Sequence, residues 1–192
     1  MTTYIALLRA VNVSGQNRVP MAELRASLAG LGLRNVRTYL QSGNAVFRTE
    51  AAAAAVLATA IEQRIADDLG VRAGVLVVPA ADFAGAVDAN PFVGGAGTEE
   101  RLLYATFLMA PGAGVRAERT FGALALPAAE GEAAAFVGSP TLVVPIVFLR
   151  LPHGYGRTKL SNLYFERALA SPATTRNWRT VRALAEMSAG GA

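Results

Sequence analysis

Thr38-Tyr39-Leu40-Gln41-Ser42-Gly43-Asn44-Ala45-Val46-Phe47 reads as the end of one strand, a tight polar turn and the start of a second strand. Val36, Thr38 and Leu40 alternate on the first side, and Ala45-Val46-Phe47 is apolar on the second. Gly43 and Asn44 tolerate the positive φ that a short hairpin turn needs. The tip also carries two carboxamides and a hydroxyl, from Gln41, Asn44 and Ser42, which is more polarity than the turn itself uses. That surplus marks a candidate binding point.

Working outward, Tyr4–Leu8 is a short apolar run of the kind found in a central strand buried on both faces. Residues 10–19 form a polar loop, and Asn17 or Arg18 stands where a helix cap is expected. Pro20 suits a first helical turn, with Met21, Leu24, Leu28 and Leu31 at helical spacing and Gly32 as the stop. Beyond the hairpin strands (36–41 and 44–48), Leu57, Ile61, Ile65 and Leu69 stripe a helix over about 51–69, ended by Gly70. Val75–Val78 is a further strand, closed by Pro79. The order β-α-β-β-α-β is that of the ferredoxin-like unit.

In that unit the strand order 4-1-3-2 makes the first two strands parallel. The loop after the first strand, the hairpin turn and the start of the first helix then share one rim. Arg9, Asn12, Gln16, Gln41, Ser42 and Asn44 are expected to converge there. The helix N–H groups beside them favour an anion by about 0.3–1 kcal/mol.

The second half is read more coarsely. A short helix over 80–89 leads to Asn90-Pro91-Phe92 and to Gly94-Gly95-Ala96-Gly97, a joint that places a boundary near residue 95. Strands are expected at 102–109, 123–126, 133–137 and 142–149, the last at a sheet edge or bulge because of Pro145. Helices are expected at 114–122, 158–169 and 176–188. This element order resembles a second, degenerate copy of the first unit. The fold class is therefore α+β, with duplicated ferredoxin-like (α/β-plait) subdomains at 1–95 and 96–192, mainly antiparallel sheets and two C-terminal helices.

Composition narrows the chemistry. The 192 residues are 53% hydrophobic and 17% charged, which describes a globular chain with enough length for a core. There is no cysteine, which excludes disulfides and thiolate metal sites, and the single histidine, His153, excludes a histidine-based metal cluster. No signal peptide is read at the N-terminus. The apolar runs around 51–61 and 141–149 fall short of the roughly 20 residues of a membrane span, so a cytoplasmic location is expected. Asp67-Asp68 and Glu99-Glu100 read as solvated acids, with no metal expected.

The net charge is +4 and uneven: residues 1–149 carry 11 Arg against 12 acids, and residues 150–192 carry seven cations against two acids. The C-terminal segment thus suits an anionic partner. Within it, Pro152–Asn162 is a loop bearing Gly154 and Gly156 that runs into a helix, at whose start Arg157 and Lys159 could hold a phosphate or carboxylate. Lys159 is the only lysine among 17 Arg, and an ammonium is a compact point charge that guanidinium does not replace. A second helix start is read at Ser171–Trp178, with Thr174 or Thr175 as N-cap and Arg176, Arg179 and Arg182 as a basic stripe. Trp178 reads as a core anchor. Arg157, Lys159, Asn162, Thr175, Arg176 and Asn177 complete the candidate ligand-binding set begun by Arg9, Asn12, Gln41, Ser42 and Asn44. The doubled plait is expected to gather the two groups.

Five separated segments also resemble a known family. They are Tyr4–Val13, Thr38–Asn44, Asn90-Pro91-Phe92, Gly156-Arg157-Thr158-Lys159-Leu160 and Thr174-Thr175-Arg176-Asn177-Trp178, in that order. Together they are similar to the motifs of domain of unknown function family 1697, a bacterial family of about this length. The resemblance implies a two-part α/β plait and transfers no activity, cofactor or catalytic residue. Members usually carry Gly after the first Arg and Gly-Gly-Lys in the next loop, where this chain has Ala10 and Ser14-Gly15-Gln16.

The residues lead to one functional expectation, binding or enzymatic conversion of a small anionic ligand such as a nucleotide or phosphorylated metabolite. No cofactor is identified. The basic C-terminus and plait topology raise an RNA- or single-strand-binding module as an alternative. No Arg-Gly-Phe-Gly-Phe-like run presents aromatics for stacking, and aromatics are only 7% of the chain. A partner-binding, homo-oligomeric scaffold is the third class.

Overall fold

Tyr4-Ile5-Ala6-Leu7-Leu8 forms the body of β1 (Thr2–Leu8), a strand with neighbours on both sides. This architecture comes from a computed structural model that describes residues 1–13, 15, 17–50, 52–95, 99–110, 113–138 and 144–190. Ser14, Gln16, Ala51, Ala96, Gly97 and Leu142, which entered the expectations above, lie outside the described residues. The chain divides into two compact units, Met1–Phe83 with Ala183–Ala192, and Ala84–Arg182, each described on its own.

In the first unit β1 is followed by α1 (Met21–Gly30), β2 (Arg34–Tyr39), β3 (Asn44–Thr49), α2 (Ala54–Leu69) and β4 (Val75–Pro79). The sheet order is β2-β3-β1-β4 with antiparallel neighbours, so β1 and β2 run parallel. Tyr4, Ala6 and Leu8 line one face of β1 and share a core with Phe47, Val75 and Val77, under Leu24 and Leu28 of α1 and Ile61 and Ile65 of α2. Ile5, Leu7, Val46 and Val78, on the other face, are buried too. Burial of both faces is why β1 reads as a continuous apolar run and shows no alternation. Gly70, at φ 65°, ends α2 in the left-handed conformation that glycine adopts without strain.

After α3 (Ala80–Asp88), the second unit contains β5 (Leu103–Leu108), α4 (Ala113–Gly122), β6 (Ala133–Val137), β7 (Ile146–Arg150), α5 (Asn162–Leu169) and β8 (Ala173–Asn177). Its sheet order, β6-β7-β5-β8, repeats the first unit strand for strand. The duplication inferred from element order is therefore complete in topology. Leu108, Val147, Leu149 and Ala173 pack with Ala117 of α4 and with Phe165 and Leu169 of α5. The last helix, α6 (Trp178–Ala189), begins in the second unit and ends in the first. Among the described residues no helix is long and apolar enough to cross a membrane.

Four local expectations are corrected. Residues 173–177 are strand β8 and not a helix start; two successive β-branched threonines favour extended backbone, and β5 supplies the pairing. The expected strand at 123–126 is absent, because Ala123 and Leu124 donate to Thr120 and Phe121 and finish the turn of α4. β7 is an internal strand: Pro145 precedes it and costs the ladder no N–H, while its carbonyl accepts from Leu108 N at 3.0 Å. The helix expected from 158 is a 3₁₀ turn at Tyr155–Arg157 followed by α5 from Asn162, with Ser161 as its cap.

Candidate functional site

The turn and loop of the first unit meet as the parallel β1 and β2 require. Leu8 N donates to Gly43 O at 2.8 Å, and Arg9 N donates to Gly74 O at 2.8 Å, so the end of β1 lies between the hairpin turn and the α2–β4 connection. Asn12, at φ 54°, donates through Nδ2 to Gln41 O at 2.7 Å and to Val19 O at 2.9 Å, and its Oδ1 accepts from Val19 N at 2.8 Å. Asn17 closes the same loop from within by donating to Ala10 O at 3.0 Å. Asn44 is fully buried and donates to Tyr39 O at 3.0 Å and to Ser42 Oγ at 2.9 Å.

Most of the surplus polarity at the turn is thus spent on the fold. Asn12 is a staple between loop and hairpin, and Asn44 and Ser42 hold the turn closed. Gln41 is different: its carbonyl serves the staple, while its side chain is exposed and has no partner among the described residues.

Beside it lies a hollow of about 440 Å³ lined by Asn12, Arg18, Pro20, Met21, Arg25 and Gln41. Its floor is the start of α1, where Pro20 holds the N-cap position and no side chain caps the helix. Neither Asn17 nor Arg18 acts as the expected cap. The first-turn N–H groups therefore point toward the hollow without a side-chain acceptor. Arg25 Nη1 donates to Thr38 Oγ1 at 2.7 Å, and Arg18 is exposed. Neither guanidinium faces a carboxylate among the described residues. Glu23 sits in the first turn but not in the lining.

Sequence reasoning did not include Arg18 and Arg25 in the candidate set. Arg18, two residues ahead of the helix proline, carried a readable signal; Arg25 acquires its place only through Thr38 on another element.

The second group falls in the second unit. Thr175 Oγ1 donates to Asn162 Oδ1 at 2.6 Å and accepts from Thr106 Oγ1 at 2.8 Å and from Tyr155 OH at 3.3 Å. Tyr155 OH in turn accepts from Asn162 N at 2.9 Å. This network ties the 3₁₀ turn and α5 onto β8, and it recruits Thr106 and Tyr155, which the sequence reading did not select. Arg176 lies on the opposite face of β8, because side chains alternate along a strand. It is buried, donates to Thr174 Oγ1 at 2.8 Å and to Thr175 O at 2.9 Å, and burial lowers its pKa to about 10. Asn177 donates to Arg101 O at 2.9 Å, and its Oδ1 accepts from Arg179 N at 3.1 Å, which starts α6.

Arg157 and Lys159 are exposed and unpaired among the described residues, while Thr158 between them donates to Glu132 at 2.9 Å. The N-terminus of α5 is closed: Ser161 Oγ accepts from Tyr164 N, and Asn162 N is taken by Tyr155. The basic stripe expected on the last helix does not form, since Arg176 is buried in a strand and Arg182 pairs with Glu100.

A wider hollow of about 710 Å³ lies elsewhere in the first unit, lined by Glu62, Gln63, Asp67 and Arg72. Its acids are engaged: Glu62 accepts from Val75 N at 2.7 Å, and Asp67 accepts from Gln63 at 2.8 Å. Among the described residues no group of three or more His, Cys, Asp or Glu is placed to hold a metal ion.

Comparison with known proteins adds the lineage. No curated protein matches the chain. Among solved structures, a conserved bacterial protein, SP0830 from Streptococcus pneumoniae, is similar at 25% identity with a TM-score of 0.73, over 98% of this chain and 99% of that one. The family model described as protein of unknown function (DUF1697) matches residues 1–139, which span β1 through β6. The chain belongs to that family, DUF1697.

Proposed function

We propose that the first unit binds a small anionic ligand bearing a phosphate or carboxylate, in the hollow at the start of α1. The observation that carries this reading is the pairing of an uncapped helix N-terminus with two guanidinium groups, Arg18 and Arg25, that no described carboxylate neutralises. The free Gln41 carboxamide adds a donor and an acceptor at the same mouth. Helix N–H groups and planar guanidinium forks both fit oxyanions. A volume of about 440 Å³ suits a small molecule. The start of α5 is a weaker place for such a ligand, since Ser161 and Tyr155 already occupy its N–H groups.

Thermal-shift screening against inorganic phosphate, sugar phosphates and nucleoside monophosphates tests the reading. A ligand at 100 times its Kd stabilises by about 2.7 kcal/mol. The shift is expected to vanish in Arg18→Gln and in Gln41→Ala, with the melting temperature of the free protein unchanged. A screen with no shift, or a shift that survives both substitutions, rejects the hollow as the site.

A further inference from the structure

The first 49 residues carry six arginines and one acid, Glu23, whereas residues 50–149 carry five arginines and eleven acids. The fold turns this sequence asymmetry into a surface. Sheet order β2-β3-β1-β4 puts β2 at the edge, so its outer rim has no strand partner. Arg34 and Arg37 stand exposed on β2. Neither has a carboxylate partner among the described residues. Arg37 instead donates to Met187 O in the last turns of α6, which fixes the side chain and leaves its charge unneutralised.

Arg34 is also placed directly opposite Arg48 in the β2–β3 ladder. Asn35 and Arg37 of β2, Arg48 of β3 and Thr3 of β1 line a hollow of about 370 Å³ that crosses from this edge onto the sheet face, with Gly190 also in its lining. Arg34 and Arg37 are three residues apart along the strand, roughly 10 Å.

We infer that this edge binds the phosphodiester backbone of a nucleic acid, without reading its bases. A linear polyanion matches a row of guanidinium groups, each able to grip a phosphate through two N–H donors. The patch lacks what a protein partner needs. Protein interfaces are anchored by buried apolar or aromatic side chains, yet no residue of β2 is among the exposed large hydrophobics, and Val36 is half-buried in the core. The surface differs both from the ligand hollow at Gln41 and from the C-terminal segment where the sequence charge pointed.

The test is fluorescence anisotropy with labelled 20-nucleotide single-stranded and duplex DNA of mixed sequence, between 50 and 300 mM salt. Wild-type binding is expected to fall steeply with salt. Arg34→Gln/Arg37→Gln is expected to lower the log–log salt slope by about two and to weaken binding on the order of tenfold at 0.1 M salt. Its far-ultraviolet dichroism and melting temperature confirm that it folds. Arg72→Gln, on the α2–β4 side, is expected to leave the slope unchanged. Gln41→Ala is expected to abolish the small-ligand shift and spare DNA binding, so the two sites fail independently. The inference is overturned by no binding at 50 mM salt, by an unchanged slope in the double variant, or by polyglutamate displacing the DNA at equal charge concentration.

Discussion

Among the described residues six non-glycine residues hold a positive φ, and they are not equivalent. Asn12, Asn17 and Asn35 belong to a residue type that tolerates the left-handed region, whereas Ala10 (φ 56°), Leu40 (φ 55°) and Ala170 (φ 50°) do not. Left-handed backbone costs an ordinary residue roughly 1–2 kcal/mol. Part of that is recovered in the unfolded state, which is less entropic with alanine than with glycine. Ala10→Gly and Ala170→Gly are each expected to stabilise by about 0.5–1 kcal/mol, read as a higher urea midpoint at unchanged m-value. An unchanged midpoint means these residues do not hold the left-handed conformation in solution. Gly43 is the opposite case: at φ 71°, a Cβ there would lie 2.5 Å from Val11 Cγ2 and 2.7 Å from Leu8 Cβ. Gly43→Ala is expected to destabilise by about 2–4 kcal/mol, from backbone strain and overpacking together. The need for Gly43 was legible in the turn sequence. The clash with Val11 was not, because that residue comes from another strand's loop.

At the scale of elements, the staple from Asn12 to Val19 and Gln41 decides whether loop and hairpin act as one body. Asn12→Ala strips partners from a backbone N–H and two carbonyls and is expected to cost about 1–3 kcal/mol. It should also raise amide exchange at Val19 while β3 stays protected. Protection unchanged at Val19 would mean the loop holds without it. In the second unit, Thr175→Val keeps the shape of β8 and removes the hydroxyl shared by Thr106, Tyr155 and Asn162. The expected loss is again about 1–3 kcal/mol, since three polar neighbours lose a partner. β8 was hard to read from sequence because Thr-Thr-Arg-Asn fits both a helix cap and a strand. Pairing with β5 settles the choice, and that pairing is long-range.

Across the whole chain, charge placement sets the response to acid. Hydrogen bonds from Ser27 and then Arg64 hold the Asp68 carboxyl below its usual range, and the hydrogen bond from Arg101 does the same for Glu99. Carboxylates with depressed folded pKa values contribute stability above their unfolded values, near 4, and lose it as pH falls through the folded ones. Both groups are exposed, so solvent screening keeps the effect small. Asp68→Asn/Glu99→Gln is expected to lower the plateau above about pH 4 slightly and so flatten the fall of stability below it, as measured by urea midpoints from pH 2 to 7. A steeper acid limb in the variant would reverse the sign of these contributions.

Apolar periodicity and turn chemistry were enough to derive the β-α-β-β-α-β order of the first unit, because each signal is local: Gly70 ends its helix and the Gly43 turn joins its strands whatever lies beyond them. Which polar residues remain free was decided by the tertiary structure alone. Asn12, Ser42, Asn44, Asn162, Thr175 and Asn177 look alike in sequence to Gln41, yet the fold spends them on backbone and hydroxyl partners and leaves the side chains of Gln41, Arg18 and Arg34 without a partner among the described residues. A hydrogen bond between residues 12 and 41, or 106 and 175, exists only once the sheets are built. The availability of a side chain for a ligand is therefore a property of packing, to which local sequence is blind.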